Sequence, residues 1–187
     1  MIKRLFDFCI SLIALIALSV PMAVVALCVK LTSKGPVLYW SNRVGNDNVI
    51  FRMPKFRTML VDTPSVATHL MPDPDRFCTP IGKLLRRTSV DELPQLWTIL
   101  KGDMAIVGPR PALFNQDDLI ALRTEKGVHL LTPGLTGLAQ INGRDELPLP
   151  VKVEYDEYYL LNRSFLLDLK IIYQTVLKVV KGEGVSH

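Results

Sequence analysis

A chain of 187 residues has the length for one domain with its own core and some attachments, and is too short for two full domains. The balance of 22 Lys and Arg against 18 Asp and Glu leaves +4, which suits an anionic partner without choosing among phosphate-bearing small molecules, anionic lipid and nucleic acid. Three widely spaced cysteines, Cys9, Cys28 and Cys78, give neither a disulfide framework nor a zinc site.

The first element is apolar. Residues 8–29, FCISLIALIALSVPMAVVALCV, carry no charge and lie between Lys3 and Arg4 on one side and Lys30 and Lys34 on the other. At about 1.5 Å per helical residue such a run can cross a bilayer core of roughly 30 Å, and it is longer than the apolar part of a cleaved signal peptide. Pro21 removes a backbone donor and crowds the preceding turn, which predicts a kink or break near residues 17–20. Positive charge on both flanks favours neither end for export. A bent helix that enters and leaves by one face satisfies both observations; a spanning helix fits these residues equally well. The chain therefore divides into a membrane element over 1–34 and a globular domain over 35–187.

Gly35 and Pro36 punctuate, and the next stretch reads as a hairpin: Val37 to Trp40, a turn at Gly45-Asn46-Asp47-Asn48, then Val49 to Met53. Residues 61–80 are proline-rich and predict a loop or short helix. Helices are expected around Ile81–Arg87, from Asp91 to Leu100 with Gly102 at its end, and over Asn115–Lys126. An irregular segment around Gly134 and Gly137 precedes a further helix, Lys152–Asn162. In the last helix, capped by Ser164, residues Phe165, Leu169, Ile172, Val176 and Val179 recur at alternating steps of four and three. That stripe suits either a buried core helix or one lying in a membrane interface.

The chemistry concentrates in RRTSVDELPQLWTILKGDMAIVGPRP, residues 86–111. Ser89 and Glu92 match a capping box, a purely structural use of these side chains. Pro94 argues for a later start: with Asp91 as the cap, the proline sits third in the helix, where no donor is needed. That register puts Asp91 and Glu92 at a helix mouth, where anions are stabilised and where a carboxylate can attack phosphorus or hold a divalent cation. Candidate phosphate partners are Lys55 and Arg57 in PKFRTM, Arg86, Arg87, Arg110 and Arg144; each alone reads as a solvated surface charge. Arg110 stands apart because prolines on both sides fix its mount. No glycine-rich nucleotide motif is present, and basic residues are not interleaved with aromatics as nucleic-acid binding would require.

At these residues the sequence resembles the bacterial sugar transferases, the monotopic phosphoglycosyl transferases. KRLFDF, NRVG, PKFRTM, IGKLLRRTSVDELPQLWTILKGDMAIVGPRP, PGLTGLAQINGR, YDEYYL and SFLLDLKI occur in the family's order. The resemblance implies a mostly helical α+β fold: a re-entrant membrane helix broken at proline, a small β-hairpin, and a helical cytoplasmic domain with interfacial amphipathic helices. It also implies a minimal member without additional N-terminal domains.

The implied activity is transfer of a sugar 1-phosphate from a UDP-sugar to polyprenyl (undecaprenyl) phosphate with Mg²⁺, releasing UMP at the cytoplasmic face of the bacterial inner membrane. Asp91 would be the nucleophile, forming a covalent phospho-sugar intermediate, with Glu92 its partner and both near the metal. Lys55, Arg57, Arg86, Arg87 and Arg110 would bind phosphate, Arg144 the nucleotide, and Asp156 would support the site. The family's membrane helix breaks at Ser-Pro, whereas here Val20 precedes Pro21, so a serine hydrogen bond at the break is in question. The competing reading is an inactive membrane-tethered adaptor of the same fold. Neither the sugar nor the oligomeric state, a homodimer included, is fixed by these residues.

Overall fold

A computed structural model describes residues 2–63, 73–143 and 147–181. Two helices begin the chain, α1 (Ile2–Ala17) and α2 (Ser19–Thr32), bent by 62° at Leu18. No single helix among the described residues is long and apolar enough to cross a membrane, although the bent pair together has that length and composition. The break falls where Pro21 predicts it. Ser19, although one residue further from the proline than in Ser-Pro, donates its hydroxyl to the Ile16 carbonyl at 2.8 Å, so a serine bond does accompany this break.

The hairpin is longer than the sequence suggests. β1 (Leu38–Val44) and β2 (Ile50–Phe56) pair antiparallel from Leu38 opposite Phe56 to Val44 opposite Ile50. The Asn46–Asn48 turn holds Asp47 and Asn48 at positive φ, a conformation their short polar side chains tolerate. The second strand thus includes Lys55, one residue beyond a proline that the pattern alone treats as a stop.

After the turn Pro74–Phe77 comes the short α3 (Gly82–Arg87), then a single 3₁₀ turn, Val90–Glu92, and α4 (Gln95–Lys101). The expected helix from Asp91 is corrected here. Neither Ser89 nor Asp91 caps through its side chain, and Ser89 takes φ 55°. Instead Glu92, Leu93, Leu96 and Trp97 each donate to the carbonyl three residues back, a tight staircase into which Pro94 fits before the regular helix begins. Gly102 ends α4 at φ 102°, its N–H reaching the Thr98 and Ile99 carbonyls, as its position predicts.

The segment around Gly134 is a strand, not irregular chain. β3 (Ala105–Val107) and β4 (Gly134–Thr136) run parallel, with α5 (Asp117–Glu125) in the crossover. Neither strand exceeds three residues, too short for a period-two signal. A Cβ on Gly134 would stand 2.1 Å from the Gly108 nitrogen, and one on Gly137 2.1 Å from the Gly108 carbonyl oxygen, so these glycines are demanded by the closeness of two backbones.

The chain ends in α6 (Leu138–Ile141), α7 (Leu149–Asn162) and α8 (Phe165–Lys181). Ser164 accepts from the Leu167 N–H, the expected cap. The stripe predicted on α8 does not face the core: Asp168 and Ile171 are the buried residues, while Phe165, Leu169, Val176 and Val179 are exposed and Ile172 is partly covered. The main core joins Met53 of β2, Leu96 and Ile99 of α4, Met104, Ile106, Val107, Val128, Leu131, Tyr159 and Ile171, with Phe6, Ala14 and Leu15 of α1 packed against it. These secondary elements make the protein a mostly helical α+β structure with two small sheets.

Candidate active site

Asp91 and Glu92 lie in the tight turn ahead of α4, where the chain has just come through the left-handed Ser89. Both are buried, at 6% and 8% exposure, a rare state for adjacent carboxylates. Their surroundings differ. Oε1 of Glu92 accepts from Lys55 Nζ of β2 at 2.7 Å and from Arg110 Nη2 at 3.1 Å. The Asp91 side chain takes part in no hydrogen bond or ion pair among the described residues. Burial pushes its carboxyl above the usual carboxylate range and Glu92 adds to that, while Lys55, Arg86 and Arg110 draw it down. A desolvated carboxylate facing cations without being tied to them is poised as a nucleophile.

Lys55 is held down in the same way. Burial lowers its ammonium below the ordinary lysine value, and Glu92 opposes the shift. Arg110 sits in Pro109-Arg110-Pro111, directly after β3, and a quarter of its side chain remains exposed. Its planar guanidinium, mounted between two prolines, suits contact with an incoming phosphate beside the bond that Nη2 gives Glu92.

The other predicted residues fare differently. Arg86, at the end of α3, is close enough to act on Asp91 electrostatically. Arg87, the last residue of α3, is exposed. Arg57 points away from it: buried at 4%, its guanidinium donates to the carbonyls of Ser33 and Lys34 and to the Ser33 hydroxyl, closing the C-terminal end of α2. Arg144 lies outside the described residues. Asp156 of α7 is 1% exposed and its Oδ2 accepts from Arg123 Nε and Nη2 at 3.0 and 2.6 Å. Burial raises its carboxyl by more than Arg123 lowers it.

Sequence reasoning missed Arg123, which reads as one more charge on a polar surface helix. It also missed the fastening of α1. Lys3 donates to the buried Asp168 at 2.5 Å, whose other oxygen accepts from Tyr159 at 2.6 Å, and Arg4 donates to the Ile99 and Leu100 carbonyls of α4. Those residues stood in the sequence only as flanking positive charge.

The bacterial sugar transferase model matches residues 1–182. The chain belongs to that family. Among these transferases it is 43% identical to the uncharacterized sugar transferase EpsL of Bacillus subtilis, across the whole chain and 91% of that protein. It is 40% identical to the UDP-glucose:undecaprenyl-phosphate glucose-1-phosphate transferase of Klebsiella pneumoniae, and 36% to the UDP-N-acetylgalactosamine-undecaprenyl-phosphate N-acetylgalactosaminephosphotransferase of Aeromonas hydrophila. Those matches cover 94% and 98% of the chain but 39% and 44% of the relatives, so the chain spans less than half the length of these two sugar transferases.

The Mg²⁺ expected from the resemblance can be set against the residues present, which fit it in one respect. No group of three or more His, Cys, Asp or Glu side chains that could hold a metal occurs among the described residues. A cage is not needed, because Mg²⁺ commonly takes one or two carboxylates and completes its shell with water and substrate phosphate. Asp91, with Glu92 beside it, offers that partial donor set.

Proposed function

We propose that this protein moves a sugar 1-phosphate from a UDP-sugar to a polyprenyl phosphate, as the first membrane step of glycan assembly. The observation that carries the reading is the asymmetry of the dyad: Glu92 is clamped by Lys55 and Arg110, and the Asp91 side chain beside it makes no hydrogen bond or ion pair among the described residues. An oxygen of Asp91 attacks the β-phosphorus, the bond from that phosphorus to the UMP oxygen breaks, and UMP leaves. An oxygen of the lipid phosphate then attacks the phosphorus held on Asp91 and frees the carboxylate. Splitting the transfer suits two substrates that do not share a solvent.

Each residue has a part. Lys55 and Glu92 fix one another, Arg110 offers its guanidinium to the transferring phosphate, and Arg86 supplies positive potential at the leaving group. Mg²⁺, held by Asp91 and Glu92, would supply charge neutralisation on the diphosphate. Arg144 belongs with the nucleotide end by its resemblance to the family motif.

The membrane reading follows from the bend and from what stays uncovered. Val20, Val24 and Leu27 of α2, Ile13 and Ile16 of α1, and Leu166, Tyr173 and Val180 of α8 are exposed apolar side chains on a chain with a basic balance. The bent pair dips into the cytoplasmic leaflet and returns, and α8 lies at the interface. Cysteines introduced at residues 2 and 40 will react with an impermeant thiol reagent from one side only; reaction from opposite sides would refute re-entry.

Incubation of the purified protein with UDP-sugars and Mg²⁺, without acceptor, tests the chemistry. The expected result is the mass of one sugar phosphate on the peptide containing Asp91, with release of UMP. Absence of an adduct across a broad panel of UDP-sugars would reject the proposal in favour of a non-catalytic adaptor.

A further inference from the structure

The segment that mounts Arg110 cannot hold itself in place. Pro109 and Pro111 have no N–H to give, so beyond the Gly108 N–H on the Thr136 carbonyl its backbone leans on what its carbonyls accept. Four in succession are each met from another part of the chain. The Gly134 N–H reaches the Pro109 oxygen at 2.9 Å, and the Val44 N–H reaches that of Ala112 at 3.0 Å. Arg43 donates to the Pro111 oxygen at 3.2 Å, and Arg123 Nη1 to the Arg110 oxygen at 2.7 Å. Of these four, the last is the one made to the carbonyl of residue 110 itself.

Arg123 is built for this contact. It comes from α5, is 8% exposed, and its Nε and Nη2 are both committed to Oδ2 of Asp156. A guanidinium is planar with its donors in a fixed fork, so two bonds on one edge determine where Nη1 points. It points at the Arg110 carbonyl. A buried ion pair is by itself weak evidence of a contribution to stability, since an apolar pair of similar volume often serves as well. What an apolar pair cannot do is donate to that carbonyl.

We propose that Arg123, oriented by Asp156, is a positioning residue that sets where the Arg110 guanidinium meets Glu92 and the substrate phosphate. The inference rests on the reading of the dyad as a phosphoryl-transfer site. It adds a path from α7 through α5 to that site, from Asp156 to Arg123 to the Arg110 carbonyl.

The test uses the full chain in detergent or nanodiscs and the variant Arg123→Lys. Lysine keeps a cation for Asp156, yet a single ammonium cannot hold both the carboxylate and the carbonyl. Two readouts are expected. Hydrogen exchange across residues 104–115 quickens while that of α4 stays as in wild type. Turnover falls on the order of tenfold to a hundredfold, as it does in Arg110→Lys, and the double variant is no worse than Arg110→Lys alone. Unchanged exchange across 104–115, or losses that multiply in the double variant, would overturn the proposal. If Arg123→Lys does not fold, the neutral pair Arg123→Gln with Asp156→Asn takes its place. If wild type transfers no sugar phosphate, the functional reading fails, and the exchange measurement still decides whether Arg123 holds the Arg110 segment.

Discussion

The Lys55 ammonium lies 2.7 Å from Oε1 of Glu92, the same oxygen that Arg110 reaches from the other side. One carboxylate oxygen thereby ties together a β-strand, a tight turn and the loop after β3. Glu92→Gln keeps the shape and removes the charge. Lys55, whose ammonium burial already disfavours, then loses the partner that opposes that shift. Its ionisation moves further down, so the alkaline limb of the pH–rate profile moves to lower pH, with turnover reduced by about tenfold or more at neutral pH. An alkaline limb that stays in place would show that Lys55 needs no Glu92.

Asp91→Asn should abolish the covalent adduct and lower turnover by roughly a thousandfold or more, while making the metal-free protein more stable. Burial raises the Asp91 carboxyl in the folded state. Folding therefore favours its protonated form, and stability from this group is present at acid pH and lost as pH rises through the raised value. The melting temperature of Asp91→Asn, measured with chelator present, should exceed that of wild type at pH 7, and the gap should close as pH approaches the ordinary carboxylate range near 3.8.

Arg57 separates a structural cation from a chemical one. Arg57→Met leaves the Ser33 and Lys34 carbonyls without their donor at the end of α2, at a cost of about 1 to 3 kcal/mol. Thermal melts should register that loss, while UMP affinity of the folded fraction stays within about twofold of wild type. A large loss of affinity would return Arg57 to the phosphate site.

Gly134→Ala probes the backbone crossing beneath Arg110. The added Cβ would meet the Gly108 nitrogen at 2.1 Å and the Thr136 oxygen at 2.4 Å, and neither can move without parting β3 from β4. A destabilisation of about 3 kcal/mol or more is expected, read as a drop in melting temperature together with lost activity.

The readings that came directly from sequence were those where one residue imposes a local constraint. Pro21 breaks the first helix, Gly102 ends α4, Ser164 starts α8, and the turn residues at 45–48 close a hairpin. The start of α4 was misplaced because Pro94 is compatible both with a helix cap at Asp91 and with a 3₁₀ staircase, and only packing separates them. β3 and β4 were hidden by their length and by glycines whose reason is a partner backbone distant in sequence. Asp91, Glu92, Lys55 and Arg110 were legible as a set by motif, but the division of labour inside the set was not. That division depends on which cation reaches which oxygen, and Arg57, one residue beyond β2, goes to a helix end instead.

Arg4 gives both of its outer nitrogens to the last carbonyls of α4, and that helix begins just after the dyad. The start of α1 is thus fastened to the end of α4, and the turn that holds the dyad is tied to the bent pair. On the proposed reading the bend sets a depth in the lipid, and this fastening carries that depth over into a fixed height for Asp91. A carrier phosphate confined to the same height meets the carboxylate by searching a plane instead of a volume.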